Sequence, residues 1–180
     1  MIRVWDALLR SLHWLLAVAV LTAWFSGHLL EHWFAQVHHT AGYVAGAVVV
    51  VRVLWGFAGP RHARFASFVR GPRATAAYAR EVAASREPRY LGHNPLGGWM
   101  VVALLVAVAA AVITGMLFIS DWLWGYGWLA DLHEALAWLL MVLVIGHWAG
   151  VAFTGLRHRE NLVTSMFSGM KRAASERDVP

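Results

Sequence analysis

Four stretches of this 180-residue chain are almost free of charge and long enough to cross a bilayer as helices: residues 12–30, 39–58, 96–119 and 132–154. Crossing the hydrocarbon takes roughly 20 apolar residues at helical rise. None of the four shows the two-residue alternation of a barrel strand. Only helices and closed barrels satisfy every backbone group in lipid. The pattern therefore predicts an all-α membrane protein, a four-transmembrane-helix bundle formed as a single domain over residues 1–180. The first stretch is read as retained, because its apolar run exceeds that of a signal peptide and no small-x-small cleavage site follows.

Between the second and third stretches lies a polar connection, residues 59–95, punctuated by Pro60, Pro72, Pro88 and Pro95. Its Ala-rich part at 72–85 begins with a proline, which predicts a short helix near the lipid headgroups. The tail at 157–180 is basic and partly amphipathic, and its last residues, SERDVP, are expected to fray. No internal repeat is evident.

Composition narrows the class. Hydrophobic residues make up 59% of the chain and charged residues 14%. Such a chain is neither disordered nor an ordinary water-soluble globule. The absence of cysteine excludes disulfides, thiolate zinc sites, iron–sulfur clusters and covalent c-type haem. The net charge of +5 would suggest nucleic acid in a soluble protein. Here its distribution reads instead as topology, and no nucleic-acid partner is expected.

Arg3 and Arg10 precede the first stretch. The arginines from Arg61 to Arg89 fill the central connection, and Arg157, Arg159, Lys171, Arg172 and Arg177 follow the fourth stretch. The connections at 31–37 and 120–131 contain no Lys or Arg. The positive-inside rule then places both termini and the central connection in the cytoplasm, with the basic segments against membrane lipid. Trp5, Trp14, Trp33, Trp55, Trp99, Trp122, Trp124 and Trp128 fall near predicted helix ends, as an aromatic belt would.

Ten histidines are the remaining anomaly. Ionisable groups at membrane depth are costly and face the protein interior, which makes them functional candidates. His133 and His147 lie fourteen residues apart, about 40° short of four helical turns, so they share a face roughly 21 Å apart along the axis. His13 falls at the inner level of His147, and His38 at the outer level of His133. Arg52, fourteen residues beyond His38, returns to the inner level, where a cation could meet haem propionates. The third stretch has no His, Lys, Arg, Asp or Glu and reads as scaffold.

A single such histidine would be explained by an interhelical hydrogen bond. Two matched layers of paired imidazoles, with no carboxylate or thiolate, do not resemble a zinc shell. They suit the two axial positions of b-type haem, which favours electron transfer over oxygen binding.

LHW around His13, HHTAGYV at the start of the second stretch and LHEALAWLLMVLVIGHWAG around His133 and His147 resemble the bacterial four-helix di-haem cytochrome b family. That family includes the cytochrome b subunit of nickel–iron hydrogenases, the gamma subunit of formate dehydrogenase-N and superoxide oxidase. The segments VRVLWGFAGPRHARFASFVRGPRA and RYLGHNPLGG look most like the hydrogenase-type branch. The resemblance implies two haem b groups in a bacterial inner membrane, the inner on His13 and His147 and the outer on His38 and His133.

Gly42, one turn beyond His38, would let a flat macrocycle approach, or would serve small-residue helix packing with Gly46. His39, beside His38, and His28, fifteen residues after His13, stay open as outer ligands. Asn94 looks similar to a quinone-binding asparagine of the formate dehydrogenase relatives, although the glutamine expected near Gly97 is missing. It could equally cap the third helix ahead of Pro95. His32 is expected at the outer rim, and His62 and His158 in solvated basic segments.

No nucleophile–base pair or glycine-rich phosphate loop stands out, which argues against hydrolytic or transferase chemistry. The expected function is electron transfer between a periplasmic redox partner (a hydrogenase, dehydrogenase or c-type cytochrome) and the quinone pool, with ubiquinone or menaquinone as exchangeable partner. A stand-alone superoxide:ubiquinone oxidoreductase is the first alternative, weakened by outer connections with no cation to steer superoxide. A haem-free transporter or assembly protein is the second.

Overall fold

The computed structural model describes residues 1–28, 34–176 and 178–179, which are α-helical apart from short connections, one 3-10 turn and a pair of two-residue strands. In chain order they form β1 (Ile2–Arg3), α1 (Ala7–His28), α2 (Ala35–Ala58), the 3-10 turn (Arg61–Ala63), α3 (Phe65–Phe68), α4 (Pro72–Ala83), α5 (Pro95–Phe118), α6 (Gly127–His158), α7 (Leu162–Ser168) and β2 (Met170–Lys171). Four helices, α1, α2, α5 and α6, are long and apolar enough to cross a membrane, with mean hydropathy from 1.6 for α1 to 2.8 for α5.

Their ends differ from the expected ones for a physical reason. Hydropathy marks the apolar part of a helix, whereas the helix itself continues until its backbone is capped. Thus α1 starts at Ala7 rather than 12, where Asp6 Oδ1 accepts the Leu9 amide at 2.9 Å. The His38 amide bonds Phe34 O at 3.0 Å, so α2 begins a turn before its apolar run. Helix α6 extends to His158, where Arg159 takes a positive φ of 50°. The expected end of the first stretch at 30, with His32 and Trp33, lies outside the described residues.

The chain divides into two compact units. One comprises Ser11–Val53 and Ala103–Val144, and so contains parts of all four long helices. Its interior is small and apolar, with Ala19, Ala41, Ala45, Val48, Ala107 and Val108 buried. Val18, Val50, Val106 and Val142 are more than half exposed, an apolar outer surface suited to lipid.

The other unit comprises Met1–Arg10, Leu54–Val102 and Ile145–Pro180. Its core packs Val4, Trp5, Leu9 and Ala63 with Ile2, Trp55 and Met166. β1 pairs antiparallel with β2, Ile2 opposite Lys171 and Arg3 opposite Met170. Gly169 makes this possible: it ends α7 at φ 79°, and a Cβ there would meet Trp5 O at 2.6 Å. Helix α4 forms as expected, with Pro72 in its first turn.

The tail departs from expectation. Instead of fraying, it folds back: Val179 bridges to Tyr90, its amide bonding Arg89 O at 2.8 Å and its carbonyl accepting from Leu91 at 2.9 Å. Two of the cations expected against membrane lipid are buried instead. Arg89, 5% exposed, pairs with Glu160 at 2.6 Å and Asp178 at 2.5 Å. Lys171, 4% exposed, donates to Leu91 O at 3.0 Å and lies 3.4 Å from Glu160. Opposite charges and backbone acceptors replace the water that lone cations would keep.

Trp5 is likewise a core residue rather than a belt residue, with Lys171 Nζ 5.9 Å from its ring centre. His62 packs edge-on to Trp5 instead of standing in solvent, and burial, with Arg61 nearby, lowers its pKa.

Candidate functional site

Helices α2 and α6 contribute His38 and His133, whose ring centres lie 6.0 Å apart with planes at 84°. Each ring is held by a helix other than its own. His38 Nδ1 is 2.8 Å from Ala23 O on α1. His133 Nδ1 is 3.0 Å from Ala111 O and 3.1 Å from Thr114 Oγ1 on α5. A carbonyl oxygen only accepts, so both Nδ1 atoms carry the proton and both lone pairs stand on Nε2. That is how metal-ligating histidines are prepared, with the second nitrogen donating to a backbone carbonyl.

A cavity of about 490 Å³ opens beside the pair, bounded among others by His28, His39, Gly42 and Glu134. A Cβ at Gly42 would meet nothing within 4 Å, so this wall presents bare backbone to the space. An imidazole nitrogen sits about 2 Å from a bound metal, which would set two rings sharing one metal about 6 Å apart, centre to centre. Two prepared imidazoles, an apolar cavity and a bare helix wall fit an axially ligated macrocycle. Among the described residues, no group of three or more His, Cys, Asp or Glu side chains could cage a bare ion.

Two further histidines, His28 and His39, line the same cavity. His28 stacks on Trp24 with centres 4.6 Å apart and meets Trp138 edge-on at 5.2 Å. Its Nδ1 lies 3.1 Å from Trp24 O, a carbonyl of its own helix. His39 lies 6.1 Å from His38, ring centre to ring centre.

Of the residues expected at the inner level, His13 and Arg52 belong to the unit that contains the cavity, and His147 to the other unit. His13 is half-buried and edge-on to Trp14 at 5.2 Å, and Arg52 is 6% exposed on α2. His147 is half-buried on α6, beside Gly146.

Asn94 is found at the helix cap: its Oδ1 accepts the Gly97 amide at 2.7 Å, with Pro95 as the first residue of α5. Sequence reasoning missed Ala23, Ala111 and Thr114. It assigned α5 to scaffold because acceptor carbonyls leave no mark in a sequence.

Comparison with known proteins agrees with this picture. Residues 4–169 match the family model of prokaryotic cytochrome b561. Among curated proteins, the chain is 24% identical to a probable Ni/Fe-hydrogenase B-type cytochrome subunit of Bradyrhizobium diazoefficiens, across 94% of this chain and 85% of that one. Proteins of the same description from Rhizobium leguminosarum bv. viciae and Cupriavidus necator are 26% and 25% identical. They cover 92% and 93% of this chain, and 87% and 86% of their own lengths. No solved structure matches the chain.

Proposed function

The chain belongs to the prokaryotic cytochrome b561 family, and on that premise we propose that it is a di-haem subunit carrying electrons between a periplasmic redox protein and the membrane quinone pool. Family membership and four membrane-length helices support a multi-pass cytochrome of an electron-transfer complex. The description shared by its relatives favours a Ni/Fe-hydrogenase as the partner.

The observation that carries the haem reading is the His38–His133 pair, with each Nδ1 committed to a carbonyl. These two residues would hold the outer haem through Nε2, with Gly42 against its face. The inner haem is assigned to His13 and His147 from the depths the sequence pattern gives them and from the family resemblance, and Arg52 at that level would meet its propionates. Haem held there would supply one-electron redox chemistry.

The residues themselves hold the rings in one tautomer and surround the site with largely apolar side chains that would tune its potential. Both termini and the 59–95 connection face the cytoplasm in this reading. A redox-titrated optical spectrum of the purified protein tests it. Two b-type haems per chain, reoxidised by added ubiquinone or menaquinone, are expected. A colourless protein, or one haem per chain, would contradict the reading.

A further inference from the structure

We infer that a five-residue segment, Ala-x-x-Ser/Thr-Gly, used once on α1 and once on α5, is a seat that fixes the tautomer and plane of each imidazole in the His38–His133 pair. The inference rests on the haem reading above and adds positioning residues to it. The two copies are AWFSG at 23–27 and AVITG at 111–115, a short echo within a chain that otherwise shows no repeat.

They match position by position. The first residue, Ala23 or Ala111, offers its carbonyl to Nδ1 of His38 at 2.8 Å or of His133 at 3.0 Å. At the fourth, a hydroxyl turns back onto its own helix. Ser26 Oγ lies 2.6 Å from Thr22 O and 3.2 Å from Ala23 O; Thr114 Oγ1 lies 2.9 Å from Ala110 O and 3.0 Å from Ala111 O. At the fifth, glycine clears space for the ring. A Cβ on Gly27 would stand 2.9 Å from His38 Nδ1, and one on Gly115 would stand 3.0 Å from His133 Cε1.

Small residues at helix contacts are common in membranes, but ordinary packing asks for no polar group. Here the same order of carbonyl, helix-bonded hydroxyl and glycine recurs on two different helices, with the carbonyl and the glycine against an imidazole each time. Glycine lets the ring come close enough for its N–H to reach a carbonyl already engaged in the helix. A hydroxyl has one proton, and when Thr114 spends it on its own helix a lone pair faces His133 Nδ1 at 3.1 Å. That second acceptor makes the imidazole a stronger donor to iron and favours the ferric state.

The test uses the purified holoprotein, with haem count, electron paramagnetic resonance and midpoint potentials as readouts. Thr114→Val should keep both haems and raise the potential of one, while Thr114→Ser should keep the original value. Gly27→Ala should push His38 aside, so that one haem is lost or turns high-spin. Potentials and spectra unchanged in both Thr114→Val and Gly27→Ala would overturn the seat, as would Thr114→Ser shifting as far as Thr114→Val. If Gly27→Ala does not accumulate, the two Thr114 variants decide. His133→Ala separates the levels of failure: two haems retained in that variant would sink the haem reading itself, whatever the seat residues do.

Discussion

In the unit formed by Ser11–Val53 and Ala103–Val144, the imidazoles of His38 and His133 and the hydroxyls of Ser26 and Thr114 are answered by helix carbonyls. In the unit formed by Met1–Arg10, Leu54–Val102 and Ile145–Pro180, the buried cations Arg89 and Lys171 are answered by carboxylates, with backbone carbonyls helping Lys171. An imidazole protonated on Nδ1 alone is neutral and needs one acceptor, which a helix can lend without giving up its own ladder. A guanidinium needs several acceptors and loses several kcal/mol of hydration, so it is kept where carboxylates converge. The lesson is that one chain can bury polarity in two ways. The neutral way suits membrane depth, where uncompensated charge is most costly.

The largest effect that would sharpen this contrast comes from Arg89. Arg89→Ala leaves Glu160 and Asp178 buried without their shared cation and should cost about 3–5 kcal/mol. Denaturation followed by tryptophan fluorescence should show the loss, and the tail should become open to proteolysis. The optical spectrum of the folded protein should stay as it was. Bleaching in step with tail release would mean that the two units do not hold their polar groups independently.

Acid should act on the same unit next. Burial alone would raise the Glu160 pKa, but the hydrogen bond from Arg89 and the charge of Lys171 more than offset it and hold it low. Asp178 is depressed likewise, against its burial, by its Ser175 hydrogen bond and by Arg89. Carboxyls with a folded pKa below the unfolded one stabilise the fold fully above about pH 4 and lose that contribution as pH falls through the lower, folded value. Hydrogen-exchange protection across residues 170–179, relative to the intrinsic rate at each pH, should therefore fall below about pH 4. Constant protection down to about pH 3 would show that the ion pairs do not hold the tail.

The smallest effect belongs to Asn94. Asn94→Ala removes the acceptor for the Gly97 amide and should cost about 1 kcal/mol, an ordinary N-cap loss. It should leave quinone reduction at its original rate. A collapse of quinone reduction with stability intact would assign Asn94 to the quinone instead.

What could be read in advance follows the range of each interaction. The four spans and helix α4 follow from local composition, apolar runs of membrane length and an Ala-rich stretch opened by Pro72, which the sequence displays directly. The level shared by His38 and His133 comes from their places along the spans and from the family resemblance, with His28 and His39 left open as outer ligands. The tail clamp joins Arg89 to residues 71 and 89 positions away. No local pattern announces such a pairing; Arg89 and Lys171 looked like cations facing membrane lipid, and the SERDVP end like frayed chain. The seats at 23–27 and 111–115 were hidden for a different reason. Their main functional atoms are backbone carbonyls, and the glycine and hydroxyl beside them look like ordinary membrane-helix residues until an imidazole is seen against them.

The claim everything else leans on is that His38, and not its cavity neighbour His28, grips a haem together with His133. Haem content per chain in purified His38→Ala and His28→Ala tests it most directly. The account predicts one haem in His38→Ala and two in His28→Ala; two in the first and one in the second would contradict it.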